Sequence, residues 1–409
     1  MMTNVRAATR GLLASLVLFA SGGVVLACTG LLGNFTEGTQ PTDGSVIEPA
    51  GDTGTTVAND AGSSQADAAT DAPAVDATTD GGKSDGSASA PLCAQTPDDA
   101  GTAPVLLASG QSDPEGIVVD AVNVYWVNAG TGTVVSCPLA GCPDAGPTIL
   151  ASGQSSPNRL VVDLTNVYWT NVFTSVQKCP ITGCGTSAPT VYAAGSTKAA
   201  GLAIDLTTIY WTELQDGVIA SCPLAGCTTK NVLYAGPDGP TYGIAVDSAN
   251  VYWLNVDTGT LEKMPLTGVP EGGAPTVLAT TDAGVAFLAT DTSNAYFTNE
   301  YGMTGQVSRA PLTGEPDGGV PSVVASNQVY LDDIIVDPLC QTLYWSQRGV
   351  QVDGGGDPQG TVYRCDTLLC NNNPIPFASN QNGPWGLAQD TTYVYWTDYY
   401  GGTVWKKHK

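Results

Sequence analysis

From Pro104 onward, apolar residues come in short runs bounded by Gly, Pro, Asn and Asp. Val, Ile, Thr, Tyr and Trp dominate these runs, and no stretch sustains an apolar period of 3.6 residues. Side chains alternating across a pleated strand account for that pattern; a helix stripe does not. One stretch shows the unit in full: Gly116-Ile-Val-Val-Asp120, Asn123-Val-Tyr-Trp126, Gly132-Thr-Val-Val-Ser136 and Pro147-Thr-Ile-Leu-Ala151. The short, turn-forming links predict four antiparallel strands joined by hairpins, running from an inner to an outer strand.

The unit recurs seven times, marked by an aromatic pair on its second strand: Tyr125-Trp126, Tyr168-Trp169, Tyr210-Trp211, Tyr252-Trp253, Tyr296-Phe297, Tyr344-Trp345 and Tyr395-Trp396. Successive spacings are 43, 42, 42, 44, 48 and 51 residues, about the length of one four-stranded propeller blade. The predicted fold is all-β, a seven-bladed β-propeller over residues 101–409 with essentially no helix. The last copy supplies Gly386-Leu-Ala-Gln-Asp390, Tyr393-Val-Tyr-Trp396 and Gly402-Thr-Val-Trp405, one strand short of a blade. Pro104-Val-Leu-Leu-Ala-Ser-Gly110 repeats Pro147-Thr-Ile-Leu-Ala-Ser-Gly153 almost residue for residue. This N-terminal segment is expected to complete the seventh blade and remove a fraying edge.

An Asp closes each inner strand: Asp120, Asp163, Asp205, Asp247, Asp291, Asp337 and Asp390. A binding site needs one constellation, whereas a turn needs its carboxylate in every blade. These seven are therefore read as acceptors for turn N–H groups, and the recurring Trp as packing between blades. Tyr395-Trp-Thr-Asp398, with the variants Tyr168-Trp-Thr-Asn171 and Tyr210-Trp-Thr-Glu213, resembles the YWTD propellers of lipoprotein-receptor ectodomains. That resemblance implies fold and leaves the ligand open.

The N-terminus reads differently. Arg6 and Arg10 precede an apolar stretch from Gly11 to Ala27, which ends in Val25-Leu26-Ala27-Cys28. The pattern over residues 1–28 resembles a bacterial lipoprotein signal peptide, implying that Cys28 is diacylated and anchors the chain to a membrane. The alternatives are an ordinary secretory signal or a spanning helix, for which 17 apolar residues are at the short limit. Thr29, where Asp would signal inner-membrane retention in the enterobacterial rule, implies the outer membrane. Over residues 29–100 twelve acids face one base, Lys83, and Phe35 is the one aromatic. Such a segment cannot bury enough apolar surface to offset its ordering entropy, so a disordered acidic tether is expected. As a flexible coil it would span on the order of 45 Å.

Formal charge is −24, and the few basic residues are too scattered to track phosphates, so nucleic acid is not an expected partner. The chain is expected to be a monomer. His408 is the one histidine, placed in a Lys-rich C-terminus expected to fray. Ser-His-Asp, Cys-His and His-zinc chemistries need a buried imidazole, so they are excluded.

Besides Cys28 there are ten cysteines, eight of them in pairs of one spacing: Cys137 and Cys142, Cys179 and Cys184, Cys222 and Cys227, Cys365 and Cys370. The fourth unit has Met264 and Val269 at these positions and the fifth has Ala310 and Glu315. Both cysteines are present or both absent, as for a covalent couple, so four local disulfides are predicted. Cys340 lies in a lengthened turn facing the end where Cys93 enters the seventh blade, and a fifth bond between them is expected.

Residues just ahead of each inner strand should line the mouth of the central channel: Glu115, Asn158, Ala200, Tyr242, Ala286, Asp332 and Trp385. This ring varies where the scaffold repeats, as a superimposed site would. Glu115, Asn158 and Asp332 would hold Ca²⁺, or a sugar would stack on Tyr242 or Trp385; a merely solvated, acidic mouth is the bland alternative. Asp353 and Asp357, in the long Gly349–Gly360 loop, form a weaker calcium candidate. Two functions stay open. One is a binding or scaffolding module for a protein, glycan or envelope ligand. The other is a metal-dependent hydrolase similar to propeller lactonases, in which Glu115, Asn158 and Asp332 would hold the ion.

Overall fold

A computed structural model describes residues 103–409 except 173, 194–195, 197, 228, 237–238, 271–272, 282–283, 300–304 and 350–358. The expected signal peptide with Cys28, the expected tether, Cys93, Asp353 and Asp357 lie outside the described residues.

Seven four-stranded antiparallel sheets form the structure. Blade 1 comprises Pro114–Val119, Asn123–Asn128, Thr133–Pro138 and Thr148–Ala151. The inner strands of blades 2 to 7 are Pro157–Val162, Ala199–Ile204, Pro240–Val246, Val285–Thr290, Leu331–Asp337 and Pro384–Gln389. Each packs beside the next, and the last returns to the first, closing the ring. As the repeat predicts, Val105–Ala108 is the outer strand of blade 7; it pairs with Thr403–His408, Val105 opposite Lys406. Among the described residues the sole helical element is a single 3-10 turn, Pro316–Gly318.

The aromatic pair explains the assembly. Neighbouring residues on a strand face opposite sides of the sheet, so Tyr points to one adjacent blade and Trp to the other. Tyr125 of blade 1 shares a buried cluster with Trp169 of blade 2, and Tyr168 with Trp211. The series continues through Trp253, Phe297, Trp345 and Trp396 until Tyr395 of blade 7 meets Trp126 of blade 1. The core is therefore seven interfaces between blades. Burying one Trp removes roughly 200 Å² from water, about 5 kcal/mol before entropy is counted.

The recurrent aspartates act as turn acceptors. Asp120 Oδ1 accepts the N–H groups of Val122 and Asn123, both at 2.7 Å, and its Oδ2 accepts the Tyr125 hydroxyl at 2.7 Å. Five other blades repeat the arrangement, with Tyr168, Tyr210, Tyr252, Tyr296 and Tyr395. Burial, and then this hydrogen bond to a carboxylate, raise the phenol pKa in all six. In blade 6 the longer turn moves Tyr344 out of reach, and Lys409 Nζ takes its place on Asp337 at 2.7 Å. The C-terminus is thus tied down rather than frayed: His408 ends the third strand of blade 7 and packs edge-on against Tyr393, 5.6 Å between centroids. The imidazole remains exposed.

All four local disulfides are present, with Cα separations of 4.9, 5.2, 5.5 and 5.3 Å in chain order. Cys340 is also disulfide-bonded.

Asp398 is a buried liability. It is 2% exposed and its Oδ1 has no partner; Asn382 N and Thr403 Oγ1 donate to Oδ2 over 3.3 and 3.4 Å. Burial lifts its carboxyl pKa to about 7. Because the folded value lies above the unfolded one, the folded state binds more protons between about pH 4 and 7, and stability falls as pH rises through that window. Blades 1, 2, 4 and 5 carry Asn at this position, as Asn128, Asn171, Asn255 and Asn299. Asp398→Asn is expected to stabilise the protein at pH 8 by on the order of 2 kcal/mol, with the gain shrinking toward pH 4. Parallel unfolding profiles for the two proteins across that range would contradict this.

Candidate functional site

Every inner strand breaks register at its first residues. In blade 1 Pro114 pairs with Asn128 and Ile117 with Trp126, so the intervening stretch carries an extra residue. The register breaks at the same place in the other six blades, with one extra residue in five of them and two in blade 4, where Pro240 pairs with Asn255 and Ile244 with Trp253. Such bulges interrupt the strict alternation of side chains and re-aim them. The position after the ring residue can therefore also face the opening.

In five blades the N–H released by the bulge finds a partner in the hydroxyl of the residue after the Trp or Phe. Thr170 Oγ1 accepts the Arg159 N–H (3.2 Å), Thr212 that of Gly201 (2.9 Å), Thr298 that of Phe287 (3.1 Å), Ser346 that of Asp333 (2.9 Å) and Thr397 that of Gly386 (3.0 Å). Three of these hydroxyls donate onward to the mouth residue of the next blade: Thr170 to Ala200 O, Ser346 to Trp385 O and Thr397 to Glu115 O. The backbone that presents the ring is thus pinned between blades. Just ahead of it, Asp113, Ser156, Lys198 and Tyr330 hold left-handed conformations, φ between 48° and 52°, a strain that recurs in four blades where the chain turns into the mouth.

The position after the ring residue is Gly in blades 1, 3, 4 and 7 (Gly116, Gly201, Gly243 and Gly386). The backbone there is crowded: a Cβ on Gly386 would stand 2.5 Å from Glu115 O, and one on Gly201 2.3 Å from Tyr242 O. In blades 2, 5 and 6 the same position is Arg159, Phe287 and Asp333, and these three side chains meet. Arg159 Nη1 donates to Asp333 Oδ2 at 3.0 Å, and its guanidinium lies over the Phe287 ring, 4.4 Å from the centroid. Asp333 also accepts the Leu387 N–H at 3.0 Å. Blades 2 and 6 are separated by two blades one way and three the other, so this ion pair bridges the central opening.

Around it stand the five residues singled out from the sequence. Asn158 Nδ2 donates to Glu115 Oε2 on the neighbouring blade. Tyr242 stacks on Phe287, 6.0 Å between centroids. Asp332, 2% exposed, accepts Arg348 Nε at 2.9 Å. The Arg348 guanidinium covers the Trp385 ring at 4.3 Å, while Tyr399 packs against Trp385 at 5.1 Å. Trp385 is therefore already packed against a cation and an aromatic.

The mouth is less acidic than the ring residues alone imply. Burial is the main cause that raises the Glu115 pKa, and Asp113 adds to it; the Asn158 hydrogen bond, Arg159 and Arg348 oppose it. Tyr242 is raised by burial and by Glu115 against the pull of Arg159. Tyr399 is raised by burial, Asp113, Glu115 and Tyr400, against Arg348. These couplings place Glu115, both arginines and both phenols in one electrostatic neighbourhood. Among the described residues no group of three or more His, Cys, Asp or Glu side chains is arranged to hold a metal, and Asp332 already has a guanidinium as its counter-ion.

Arg159, Phe287, Asp333 and Arg348 were not legible as site residues. The available signal was three departures from Gly at one register position.

By sequence, neither a protein family nor a curated protein matches the chain. By structure it is similar to a streptogramin B lyase (TM-score 0.55, 15% identity, 74% of this chain and 96% of that one) and to virginiamycin B lyase from Staphylococcus aureus (0.55, 14%, 74% and 97%). It is equally similar to the WD40 propeller domain of Doa1 (0.57, 13%, 75% and 98%). At such identities the likeness shows the fold alone: an all-β, seven-bladed β-propeller.

Proposed function

We propose that this protein is a lipid-anchored propeller of the bacterial cell envelope, placed at the outer membrane, that binds a ligand over its channel mouth and performs no chemistry on it. The observation that carries this reading is the contrast between the two ends. At one end the Asp turns and cysteine loops repeat because blades need them. At the other, Glu115, Asn158, Tyr242, Asp332 and Trp385 differ from blade to blade, and Arg159, Phe287, Asp333 and Arg348 depart from the repeat with them. Lyase chemistry gains no support from structural likeness. A His-to-Ala variant of the virginiamycin B lyase is described as catalytically inactive, and the one histidine here, His408, lies on the third strand of blade 7.

The competing reading, a metal-dependent hydrolase similar to lactonases, needs a tight ion at Glu115, Asn158 and Asp332. Calcium titration of the full-length protein separates the two. The binding-module reading expects affinity no tighter than about millimolar; micromolar affinity that Glu115→Ala abolishes would favour the hydrolase. For the anchor, Cys28→Ser is expected to shift the protein from the membrane to the soluble fraction, and unchanged fractionation would contradict the lipidation.

A further inference from the structure

The two arginines at the mouth are already neutralised, Arg159 by Asp333 and Arg348 by Asp332. Each also lies over an aromatic ring. Neither stands as a free receptor for an anion.

The uncompensated groups lie beside them. Among the described residues the Glu115 carboxylate makes one hydrogen bond, from Asn158, and no ion pair. Asn158, 8% exposed, directs Nδ2 to Glu115 and leaves Oδ1 without a partner. Reversing the amide would move the deficit to nitrogen without removing it. Buried polar atoms are almost always satisfied, so an orphan at a channel mouth calls for a missing group. Asp113 adds a second negative charge, and the phenols of Tyr242 and Tyr399 stand within the field of Glu115.

The missing group has to bring more than one N–H or O–H donor and to favour an unpaired carboxylate. A hydroxyl brings one donor and no charge. A primary ammonium brings three donors and a positive charge, and a charge-assisted bond to a carboxylate is about twice as strong as a neutral one. Resting on the mouth as the binding surface, we propose that the Glu115–Asn158 pair seats a primary ammonium group, carried by a small alkylamine or a lysine side chain. The ammonium settles beside the partly exposed Glu115 side chain and donates to its carboxylate and to the Asn158 amide oxygen, while Nδ2 keeps its bond to Glu115. Bound there, it satisfies Asn158 Oδ1 and neutralises Glu115, and the aromatic rings around it limit competing water.

Calorimetric titration of the full-length protein tests this, with pentane-1,5-diamine and N-acetyl-lysine amide as probes. Tetramethylammonium, which carries the charge without N–H donors, is the control. Both amines are expected to bind, and the tighter one identifies the source. Tetramethylammonium should bind at least about tenfold more weakly. Glu115→Gln should weaken both amines at least about tenfold with an unchanged Tm. Affinity should also fall as pH drops and Glu115 protonates in the field of Asp113, Asp332, Asp333, Arg159, Arg348, Tyr242 and Tyr399. No amine binding at millimolar concentration, equal binding of tetramethylammonium, or amine binding that survives Glu115→Gln would overturn the proposal. If the amines fail but glucose or calcium binds and Glu115→Ala with Asp332→Ala abolishes it, the ammonium proposal falls and the mouth remains the site. Binding of any probe that ignores both substitutions removes the mouth as well.

Discussion

A chain lacking residues 101–112 is expected to lose cooperative folding, whereas one lacking residues 30–90 keeps it. The first deletion removes Val105–Ala108, the outer strand of blade 7, and leaves Thr403–His408 as an open edge. It also removes Leu107 and Ala108, each 6% exposed, from the cluster that joins blade 7 to blade 1. A third loss is polar: Gln111 Oε1 accepts the Trp126 indole N–H at 3.1 Å and Asn128 Nδ2 at 3.0 Å, and Gln111 N donates to Gly402 O at 2.9 Å. Three ladder pairs, two core side chains and three hydrogen bonds together amount to about 5 kcal/mol or more. That is comparable to the whole stability of a typical domain. Near-ultraviolet circular dichroism during urea unfolding reads the outcome. Equal unfolding midpoints for the two deletions would refute closure of the ring by this strand.

Asp333→Ala is expected to destabilise the protein by about 3–5 kcal/mol, because it strands a buried guanidinium. Arg159 and Asp333 have side chains only 13% and 17% exposed, so solvent compensates little. The Leu387 N–H loses its acceptor in the same change. A bridged opening also predicts strong coupling: Asp333→Ala combined with Arg159→Met should recover most of the loss, because Met still packs on Phe287 and no charge is left unpaired. Additive losses in the double variant would show that the pair does not bridge the opening.

Much of the scaffold was legible because its determinants are local. Asp120 acts on residues two, three and five places onward, and each Tyr-Trp pair sits on one strand, so repetition in sequence becomes repetition in space. The ring positions were legible from the repeat, although they fall among the first residues of each inner strand rather than ahead of it. The chemistry of the mouth was only half legible. Arg159 meets Asp333 across 174 positions of sequence, and nothing local joins them. The shared register became informative only once the bulges showed that two successive positions face the opening. The same limit hid Arg348, which reaches Asp332 and Trp385 from the end of the second strand of blade 6, and made the mouth look more acidic than it is. At the C-terminus, a Lys-rich ending suggested fraying, but Lys409 fills the place on Asp337 that Tyr344 cannot reach.

Hydrogen–deuterium exchange of the full-length protein, with and without saturating pentane-1,5-diamine, tests most directly the claim that function sits at the mouth. Slowed exchange is expected in segments 113–117, 157–160, 240–244, 384–387 and 397–399, with none in the loops closed by Cys137–Cys142, Cys179–Cys184, Cys222–Cys227 and Cys365–Cys370. Protection confined to the cysteine loops, with the mouth segments unchanged, would contradict it.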